Sequence, residues 1–327
     1  MASQPNLHEL DLLTHSPDGE PRGRGVPVAR VDPAEFPARV SLTAEVGAGQ
    51  PWSGTITDPK RGPLADLASV SSVYYRHPAQ FQLAEGMSGP EKVFAYGEAR
   101  RGFGGVIQAL QDCLWINDPV AAARCEYKPV QLAAAVSVGL TVPRTIITSD
   151  PQRAYEWALR LGQPIVYKTM AGIWHADEGQ LRVIYTTPVT DPEDVRDPAL
   201  ARTAHMFQVQ IIDKEREARA LVVGDRVFTV AIDADSERGH VDWRSDYESH
   251  TYEVIDLPGA VNDKLVELHG RLGLTFGAVD LIQRTRGDWV FLETDQGGEW
   301  GWLAEETGVP VAPALADMLE RGAPCSR

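Results

Sequence analysis

The segment Gly277–Trp300, GAVDLIQRTRGDWVFLETDQGGEW, contains two apolar runs joined by Arg-Gly-Asp and ends in a glycine pair. The short joining stretch has turn composition, so the segment predicts an antiparallel hairpin. Asp280 lies near the start of the first strand, and Glu293 and Asp295 lie near the end of the second. Because side chains two apart on a strand share a face, three carboxylates are expected side by side.

Such a carboxylate cluster needs a compensating positive charge. Asp280 and Glu293 are flanked by core-like residues, and burying carboxylates without a counterion is costly. A hard divalent cation resolves the conflict, and magnesium takes few carboxylates while leaving positions for phosphate oxygens. The cluster therefore predicts a metal-bound nucleotide. The alternative is a solvated polar face of the sheet.

Basic residues upstream are expected to meet the phosphates. Lys168 lies within the apolar strand PIVYKTM, Lys128 lies at a helix junction, Arg219 lies on a strand, and Arg244 follows Asp-Trp. A lysine inside an apolar strand is unusual unless it is paired. The alternatives are an edge lysine with its amine in solvent for Lys168 and ordinary surface charges for the others.

The whole chain has 327 residues and a formal net charge of −15. This length predicts two or three subdomains, and the charge argues against nucleic acid as a partner. The acidic excess fits either solubility or a basic peptide partner. No apolar run approaches the roughly 20 residues that span a bilayer, so no membrane partner is expected.

Localisation and redox state follow from the N-terminus and the cysteines. The N-terminal residues have no basic region followed by an apolar block, which predicts no signal peptide. The three cysteines have no metal-binding spacing and are expected to be free thiols of a cytoplasmic protein. Zinc is not expected.

The order of elements predicts an α+β fold rather than a doubly wound parallel sheet. Residues 1–116 are expected to form an N-terminal α/β lobe, 117–200 a central subdomain, and 201–327 a C-terminal subdomain with antiparallel strands. Predicted strands are LDLL, VPVAR, VSSVYYRHP, TVPRTIIT, PIVYKTM, MFQVQII, EARALVVG, RVFTVAID, FGAVDLIQ and WVFLETD, with a hairpin over 171–189.

Helices are predicted from their end signals. Asp118-Pro119 and Asp150-Pro151 each place a capping residue before a proline in the first turn, and another helix starts at Pro129. Gly139 and Gly162 end two of these helices. We also predict a glycine-interrupted helix over 97–114, a helix capped by Asn262, and a last helix over PALADMLERG.

The set of motifs, in this order, resembles the ATP-grasp superfamily. The matching segments are EYKPVQLAAAVSVGLTVPRTIIT, PIVYKTM, FQVQIIDKEREARALVVGDRVFTVAID, DWR, GLTFGAVDLIQ and FLETDQGGEW, from about residue 115 onward. SSVYYRHP, INDPVAAARCEYKPVQLAAA and GGEWGWLAEETGVPVAPALADML are similar to the ATP-grasp maturases of graspetides. Graspetides are ribosomally made peptides cross-linked through side-chain esters or amides.

The resemblance implies an ATP-grasp fold with an N-terminal pre-ATP-grasp lobe, a small central domain and a C-terminal antiparallel-sheet domain. It also implies ATP and two magnesium ions as cofactors, and a role for each candidate residue. The implied roles are phosphate contact by Lys128 and Lys168, adenine contact by Gln208, Gln210 and Ile212, ribose contact by Glu217, γ-phosphate and acyl-phosphate contact by Arg219 and Arg244, and magnesium ligation by Asp280, Glu293 and Asp295.

The implied activity is ATP-dependent joining of Asp or Glu side chains to Ser, Thr or Lys side chains of a ribosomal precursor peptide. The implied partners are that peptide, leader plus core, and a second copy of the chain. The hairpin over 171–189 lies where these maturases carry a leader-binding element; the alternative is an ordinary small-domain hairpin.

The chain departs from the family pattern in two places. Asp295 stands where the family has Asn, and Glu299 replaces a Gln. In addition, the first βα unit carries THSPDGEPRGRG where the family has a helix. Two other functions therefore stay open: an ATP-grasp ligase for small carboxylates and amines or for adding an amino acid to a peptide, and a catalytically altered peptide-binding protein.

Overall fold

The computed structural model describes residues 9–14, 25–76, 79–110, 112–171, 174–177, 180–234 and 250–322. For 9–14, 174–177, 180–183 and 234 it describes the backbone alone. The chain divides into two compact units. One contains the residues up to Ala123, Gly273–Phe276 and the segment from Ala312; the other contains Arg124–Leu272 and Gly277–Val311. The division at 116 and 200 stays a prediction.

The secondary structure is described by its bounds. The strands are β1 Glu9–Thr14, β2 Val28–Val31, β3 Ser41–Gly47, β4 Gln50–Asp58, β5 Gly62–Asp66, β6 Val70–Arg76, β7 Leu114–Ile116, β8 Thr145–Thr148, β9 Ile165–Lys168, β10 Trp174–Asp177, β11 Gln180–Val183, β12 Thr187–Val189, β13 His205–Val209, β14 Lys214–Val223, β15 Arg226–Ala234, β16 His250–Ile255, β17 Phe276–Arg284 and β18 Trp289–Asp295. The helices are α1 Gly89–Gln108, α2 Pro119–Cys125, α3 Lys128–Ser137, α4 Pro151–Leu161, α5 Gly259–Leu272, α6 Gly301–Thr307 and α7 Val311–Arg321.

The first unit contains a four-stranded sheet in the order β2-β1-β6-β7 and a three-stranded antiparallel sheet, β3-β4-β5. Within the first sheet β6 and β7 are parallel, whereas β1 is antiparallel to both of its neighbours. A core of buried apolar residues includes Val31, Ile56, Val73, Phe103 and Ile107. The N-terminal lobe predicted from the sequence is therefore present. The segment 15–24, which carries most of the atypical stretch, lies outside the described residues.

Helix α1 begins and ends earlier than predicted. Ser88 and Glu91 form a capping box, in which Glu91 N–H donates to Ser88 Oγ and Ser88 N–H donates to the Glu91 carboxylate. This pair starts the helix at Gly89, and α1 ends at Gln108. The prediction over 97–114 was wrong at both ends, since Leu114 already belongs to β7.

One sheet of the second unit has the order β12-β9-β13-β8. Helix α4 packs on it through Trp157 and its neighbours, and a buried cluster includes Ile165 and Phe207. The predicted ends of α4 are confirmed: Asp150 Oδ1 accepts from the N–H groups of the first turn, and Gly162 ends the helix at a φ of 58°. Burying an apolar side chain such as Ile165 or Phe207 contributes about 1.5–3 kcal/mol to the stability of the fold.

The other large sheet of the second unit has the order β16-β15-β14-β17-β18, with antiparallel pairing between β14 and β15, β15 and β16, and β17 and β18. Helix α5 contributes Leu265 and Leu268 to its core. The predicted cap at Asn262 was wrong, because α5 already begins at Gly259. The Asn262 Oδ1 atom is buried and accepts no hydrogen bond, so it does not cap the helix.

The hairpin predicted over 171–189 is shorter. Strands β10 and β11 pair antiparallel from Trp174 to Val183, whereas β12 is not part of the hairpin and pairs with β9.

The two described cysteines have thiols that resist ionisation. Neither Cys113 nor Cys125 forms a disulfide, and burial raises their thiol pKa to about 11 and about 12. None of the helices in the described part of the chain is long and apolar enough to cross a membrane.

His269 links α5 to the hairpin β17–β18. Its Nδ1 lies 2.8 Å from the Leu265 carbonyl oxygen, and its Nε2 lies 3.3 Å from Thr294 Oγ1. This arrangement fits the tautomer in which Nδ1 donates and Nε2 accepts. A Cβ at Gly277 would collide with the imidazole and would lie 2.8 Å from Thr294 Oγ1, so only glycine permits the approach. Burial lowers the pKa of His269 to about 4.

His269 should therefore make stability depend on pH. Between pH 6.5 and pH 4 the imidazole is protonated in the unfolded chain, where its pKa is near 6.5, but stays neutral in the folded protein. The free energy of unfolding therefore falls as the pH drops from about 6.5 toward about 4. We expect a loss of about 2 kcal/mol between pH 7 and pH 5 from this group. Urea unfolding at both pH values measures the loss, and His269→Gln should remove it. Equal pH dependence in both proteins would contradict this origin.

Candidate active site

The hairpin β17–β18 brings the predicted carboxylates together. Asp280 lies directly opposite Glu293 in the strand register, and Ala278 lies opposite Asp295. A register shift follows Asp280, so that one extra residue, Leu292, is accommodated on β18. Asp280 is buried, Glu293 is half-buried and Asp295 is exposed. The expected proximity of Asp280 to Glu293 is confirmed, whereas the described side chains do not form the expected group of three carboxylates, because Asp295 is exposed and lies opposite Ala278.

Each inner carboxylate has a cationic partner from another element. Arg219 on β14, the neighbour of β17 in the sheet, places Nη1 2.8 Å from Asp280 Oδ1, and both side chains are 5% exposed. Lys128, at the first residue of α3, forms an ion pair with Glu293. These contacts place positive charge beside each of two carboxylates that would otherwise repel one another. Both cations were predicted site residues.

The carboxylates suit magnesium, although they do not form a closed cage. Among the described side chains, no group of three or more His, Cys, Asp or Glu residues is arranged to hold a metal. Magnesium is usually bound through one or two carboxylates, with water and phosphate oxygens filling its other positions. Asp280 and Glu293 supply such oxygen donors, and Asp295 lies two residues further along the strand.

Gly298 permits the close packing behind this pair. A Cβ at residue 298 would collide with the Ala278 side chain and would lie 2.8 Å from Arg219 Nη2. Any larger residue would therefore displace the guanidinium that contacts Asp280. From the sequence, the glycine pair indicated only the end of a strand, because a tertiary approach of this kind leaves no local pattern.

The predicted adenine segment shows two different environments. The Gln208 side chain is buried, and its Nε2 donates to Thr145 Oγ1 at 3.0 Å. The Gln210 backbone N–H donates to the Pro164 carbonyl at 2.9 Å, and Ile212 is 69% exposed. Since the Gln208 amide is engaged inside the sheet, Ile212 and the backbone that follows Gln210 are the better candidates for a planar base.

Glu217 and Lys168 occupy two different sheets. Glu217 on β14 is buried and accepts from Lys214 Nζ at 2.7 Å. Lys214 was not predicted, because a lysine in the charged run DKERE looks like a surface residue. Lys168 lies half-buried on β9, opposite Met206 of β13. Arg244 lies outside the described residues.

Known proteins share parts of this sequence and its fold. A model of the MvdD pre-ATP-grasp domain matches residues 21–123. A Chryseobacterium gregarium RiPP-associated ATP-grasp ligase, in complex with ADP and a leader and core peptide, has a similar structure. Its TM-score is 0.79 and its identity 25%, with 89% of this chain and 87% of that chain covered. In fold and in this partial match, the chain is similar to ATP-grasp ligases associated with ribosomally made peptides.

A second solved structure is also similar to this chain. The macrocyclase MdnC of Microcystis aeruginosa MRC, bound with the precursor peptide MdnA, is 28% identical at a TM-score of 0.74, and 89% of this chain and 90% of that chain are covered. The fold is therefore the mixed α/β ATP-grasp fold with an N-terminal pre-ATP-grasp domain, as predicted. The match over 21–123 covers most of the N-terminal lobe and begins within the stretch 14–25 that departs from the family pattern.

A curated relative matches over a shorter region. The alpha-aminoadipate–LysW ligase LysX of Sulfurisphaera tokodaii is 28% identical over 121 residues, which is 34% of this chain. The match spans 39% of the length of that ligase, less than half. It supports an ATP-grasp ligase domain, whereas substrates and partners need arguments of their own.

Asp295 provides a test of the departure from the family pattern. Its Oδ1 accepts from Gly297 N–H at 3.0 Å, a contact that an asparagine oxygen can also make. Asp295→Asn should therefore fold normally and weaken magnesium activation by about 3-fold, since it removes one exposed charge near the cation. The magnesium dependence of ADP formation measures this. Asp225→Asn, at the exposed β14–β15 turn, is the control, and stronger magnesium activation in Asp295→Asn would contradict the expectation.

Proposed function

We propose that the protein is an ATP-dependent ligase that cross-links a ribosomal precursor peptide. In this proposal an Asp or Glu side chain of the peptide is activated as an acyl phosphate and joined to a Ser, Thr or Lys side chain. The observation that supports this proposal most strongly is that Asp280 lies opposite Glu293. Arg219 Nη1 lies 2.8 Å from Asp280 Oδ1, and Lys128 forms an ion pair with Glu293. The fold is shared with a ligase whose structure contains ADP, leader and core peptide.

The proposed reaction has two steps. A carboxylate oxygen of the peptide attacks the γ-phosphorus of ATP, and ADP leaves. The hydroxyl or amine of the acceptor then attacks the acyl carbon, an ester or amide bond forms, and phosphate leaves with the former carboxylate oxygen. Phosphoryl transfer of this kind depends on positioning and charge neutralisation rather than on an enzyme nucleophile.

The residues of the chain take separate parts in this scheme. Asp280, Glu293 and Asp295 would hold magnesium, which supplies charge neutralisation at the phosphates. The proposal assigns to Arg219 the orientation of Asp280, which it contacts through Nη1, and electrostatic stabilisation of the transferred phosphoryl group. The proposal assigns phosphate contact to Lys128, Lys168 and Arg244, ribose contact to Glu217, and adenine contact to Gln210 and Ile212.

The peptide partner is proposed to engage through its leader. The hairpin β10–β11 carries an acidic stretch in its sequence, and the chain has a net charge of −15, which favours a basic leader segment. A second copy of the chain is a further proposed partner, and native mass spectrometry measures it directly.

The function is tested with short peptides encoded next to the gene. Purified protein, ATP and magnesium should convert such a peptide to a product that is lighter by the mass of one water for each cross-link. One ADP should form for each cross-link. ADP formation without a change of peptide mass, for every candidate peptide, would contradict the proposal.

A second candidate is the addition of an amino acid or small amine to a carboxylate. The observation that favours this second function is the likeness to LysX, which extends over 121 residues. LysX is named as a ligase of alpha-aminoadipate and LysW. This activity would increase the mass of the acceptor, or would release phosphate with free amino acids as substrates. The same mass measurement therefore separates the two functions by the sign of the change.

A further inference from the structure

Gln131 is a buried polar residue of α3, with 4% of its surface exposed. Its side-chain amide makes three hydrogen bonds, all to backbone groups. The Oε1 atom accepts from Thr294 N–H at 2.9 Å, and Nε2 donates to the carbonyls of Thr294 at 2.9 Å and Cys125 at 2.6 Å. A single amide therefore engages both backbone groups of a residue 163 positions later in the chain.

Thr294 belongs to a strand at the edge of its sheet. Strand β18 is the last in the order β16-β15-β14-β17-β18. The outward N–H and C=O groups of such a strand lack a ladder partner. Near the start of β18, Thr141 fills this role, since its carbonyl accepts from Phe291 N–H at 2.8 Å. At Thr294 the Gln131 amide occupies the place of a neighbouring strand.

The opposite side of β18 is interrupted close to this point. The register with β17 shifts after Asp280, between the pair Asp280–Glu293 and the pair Leu281–Phe291. A bulge locally disrupts the ladder and bends the strand. The end of β18 therefore depends more strongly on its outer contact than a regular strand would.

This outer contact lies between two proposed magnesium ligands. Thr294 separates Glu293 from Asp295, and its hydroxyl faces His269, so the flanking carboxylates point to the other side of the strand. Lys128, which pairs with Glu293, lies three residues before Gln131 and hence on the same side of α3. Helix α3 thus holds both the backbone of this segment and the charge of Glu293.

We propose that Gln131 is a positioning residue for the magnesium nucleotide. It acts through Thr294: by fixing the backbone of that residue, it sets where Glu293 and Asp295 present their oxygens. The inference rests on the proposed function, because it assigns a part in the same site. Lys128 places a positive charge beside Glu293, whereas Gln131 fixes the position of the backbone at Thr294.

The proposal is tested by replacing Gln131 with Leu, which has similar size and none of the hydrogen bonds. Calorimetric titration with ADP should show affinity about 10-fold weaker than wild type in magnesium, and changed by less than about 2-fold in EDTA. Gln152→Leu is the matched control, since Gln152 is exposed and its side chain contacts Glu156. Equal magnesium-dependent affinity in Gln131→Leu and wild type would overturn the proposal.

Hydrogen exchange gives an independent measurement that does not depend on the variant folding. In the wild-type protein, the Thr294 amide should exchange at least about 100-fold more slowly than an exposed amide, because Gln131 Oε1 accepts from it. In Gln131→Leu this protection should be lost while the protection of β17 persists. Fast exchange of Thr294 in wild type would overturn the proposal. Absence of ADP binding by wild type, with Thr294 protected, would contradict the proposed function, although the hold of Gln131 on Thr294 would be confirmed.

Discussion

Glu293→Gln is expected to lower ATP turnover in the presence of peptide by about 1000-fold, the effect of removing one well-placed charge from a phosphoryl-transfer site. Glutamine retains the shape of the side chain and an oxygen, but it supplies no negative charge to magnesium. It also removes the ion-pair partner of Lys128, whose side chain is 23% exposed. The steady-state rate of ADP formation at saturating ATP measures the loss.

The control for Glu293→Gln is Glu267→Gln. Glu267 also forms an ion pair, with Arg271 at 2.8 Å, but both side chains are about half exposed, so the pair contributes little. Glu267→Gln should therefore leave turnover within about 2-fold of wild type. If Glu293→Gln retained more than about a tenth of wild-type turnover, with an unchanged thermal midpoint, Glu293 would not be a metal ligand of the reaction.

Arg219→Met is expected to lower the free energy of unfolding by about 3–5 kcal/mol and to abolish turnover. Arg219 and Asp280 are each 5% exposed and lie 2.8 Å apart, so removing the guanidinium leaves a buried carboxylate without its charge partner. Methionine keeps much of the volume of the arginine stem. Urea unfolding at neutral pH measures the stability, and ADP formation measures the activity.

The double variant Arg219→Met with Asp280→Asn separates the two roles of the pair. Without the buried charge, the double variant should recover about half or more of the lost stability, but no turnover. Stability of Arg219→Met within about 1 kcal/mol of wild type would contradict the account of a buried pair. Turnover in the double variant would contradict the assignment of these residues to the site.

The parts of the fold that the sequence predicts well carry local signals. Asp150 and Gly162 mark the ends of α4 because a cap and a left-handed C-terminal residue act within one turn. The hairpin β17–β18 was predictable from its turn and its apolar runs. The capping box at Ser88 was also present in the sequence as Ser-Gly-Pro-Glu, and using it would have placed the start of α1 correctly.

Strands β3, β4, β5, β7 and β16 and helix α6 were missed. The meander β3-β4-β5 begins with the alternation Leu42, Ala44, Val46, a strand pattern that is too short to be decisive beside the glycines around it. Helix α6, Gly301–Thr307, follows a glycine-rich turn and is seven residues long. A helix this short is stabilised by tertiary packing rather than by its own sequence.

The residues of the candidate site also differ in whether a local sequence signal or a tertiary contact places them. The sequence placed Asp280 and Glu293 close together on one hairpin, because the turn between them sets the approximate register. A regular register from that turn would pair Asp280 with Leu292, so the bulge that puts Glu293 directly opposite Asp280 could not be predicted. Gln131, Lys214 and His269 could not be found, because their partners arise from tertiary contacts or look like surface charge. A buried glutamine inside an apolar helix is a signal in retrospect, since burial of an amide requires partners.

The central claim is that a peptide carboxylate becomes an acyl phosphate at this site. It is tested most directly with a substrate peptide whose Asp and Glu side-chain carboxylates carry a heavy oxygen isotope. The reaction with ATP and magnesium should release one labelled phosphate for each cross-link, because the carboxylate oxygen that attacks phosphorus leaves with it. Cross-linked product accompanied by unlabelled phosphate would contradict the account.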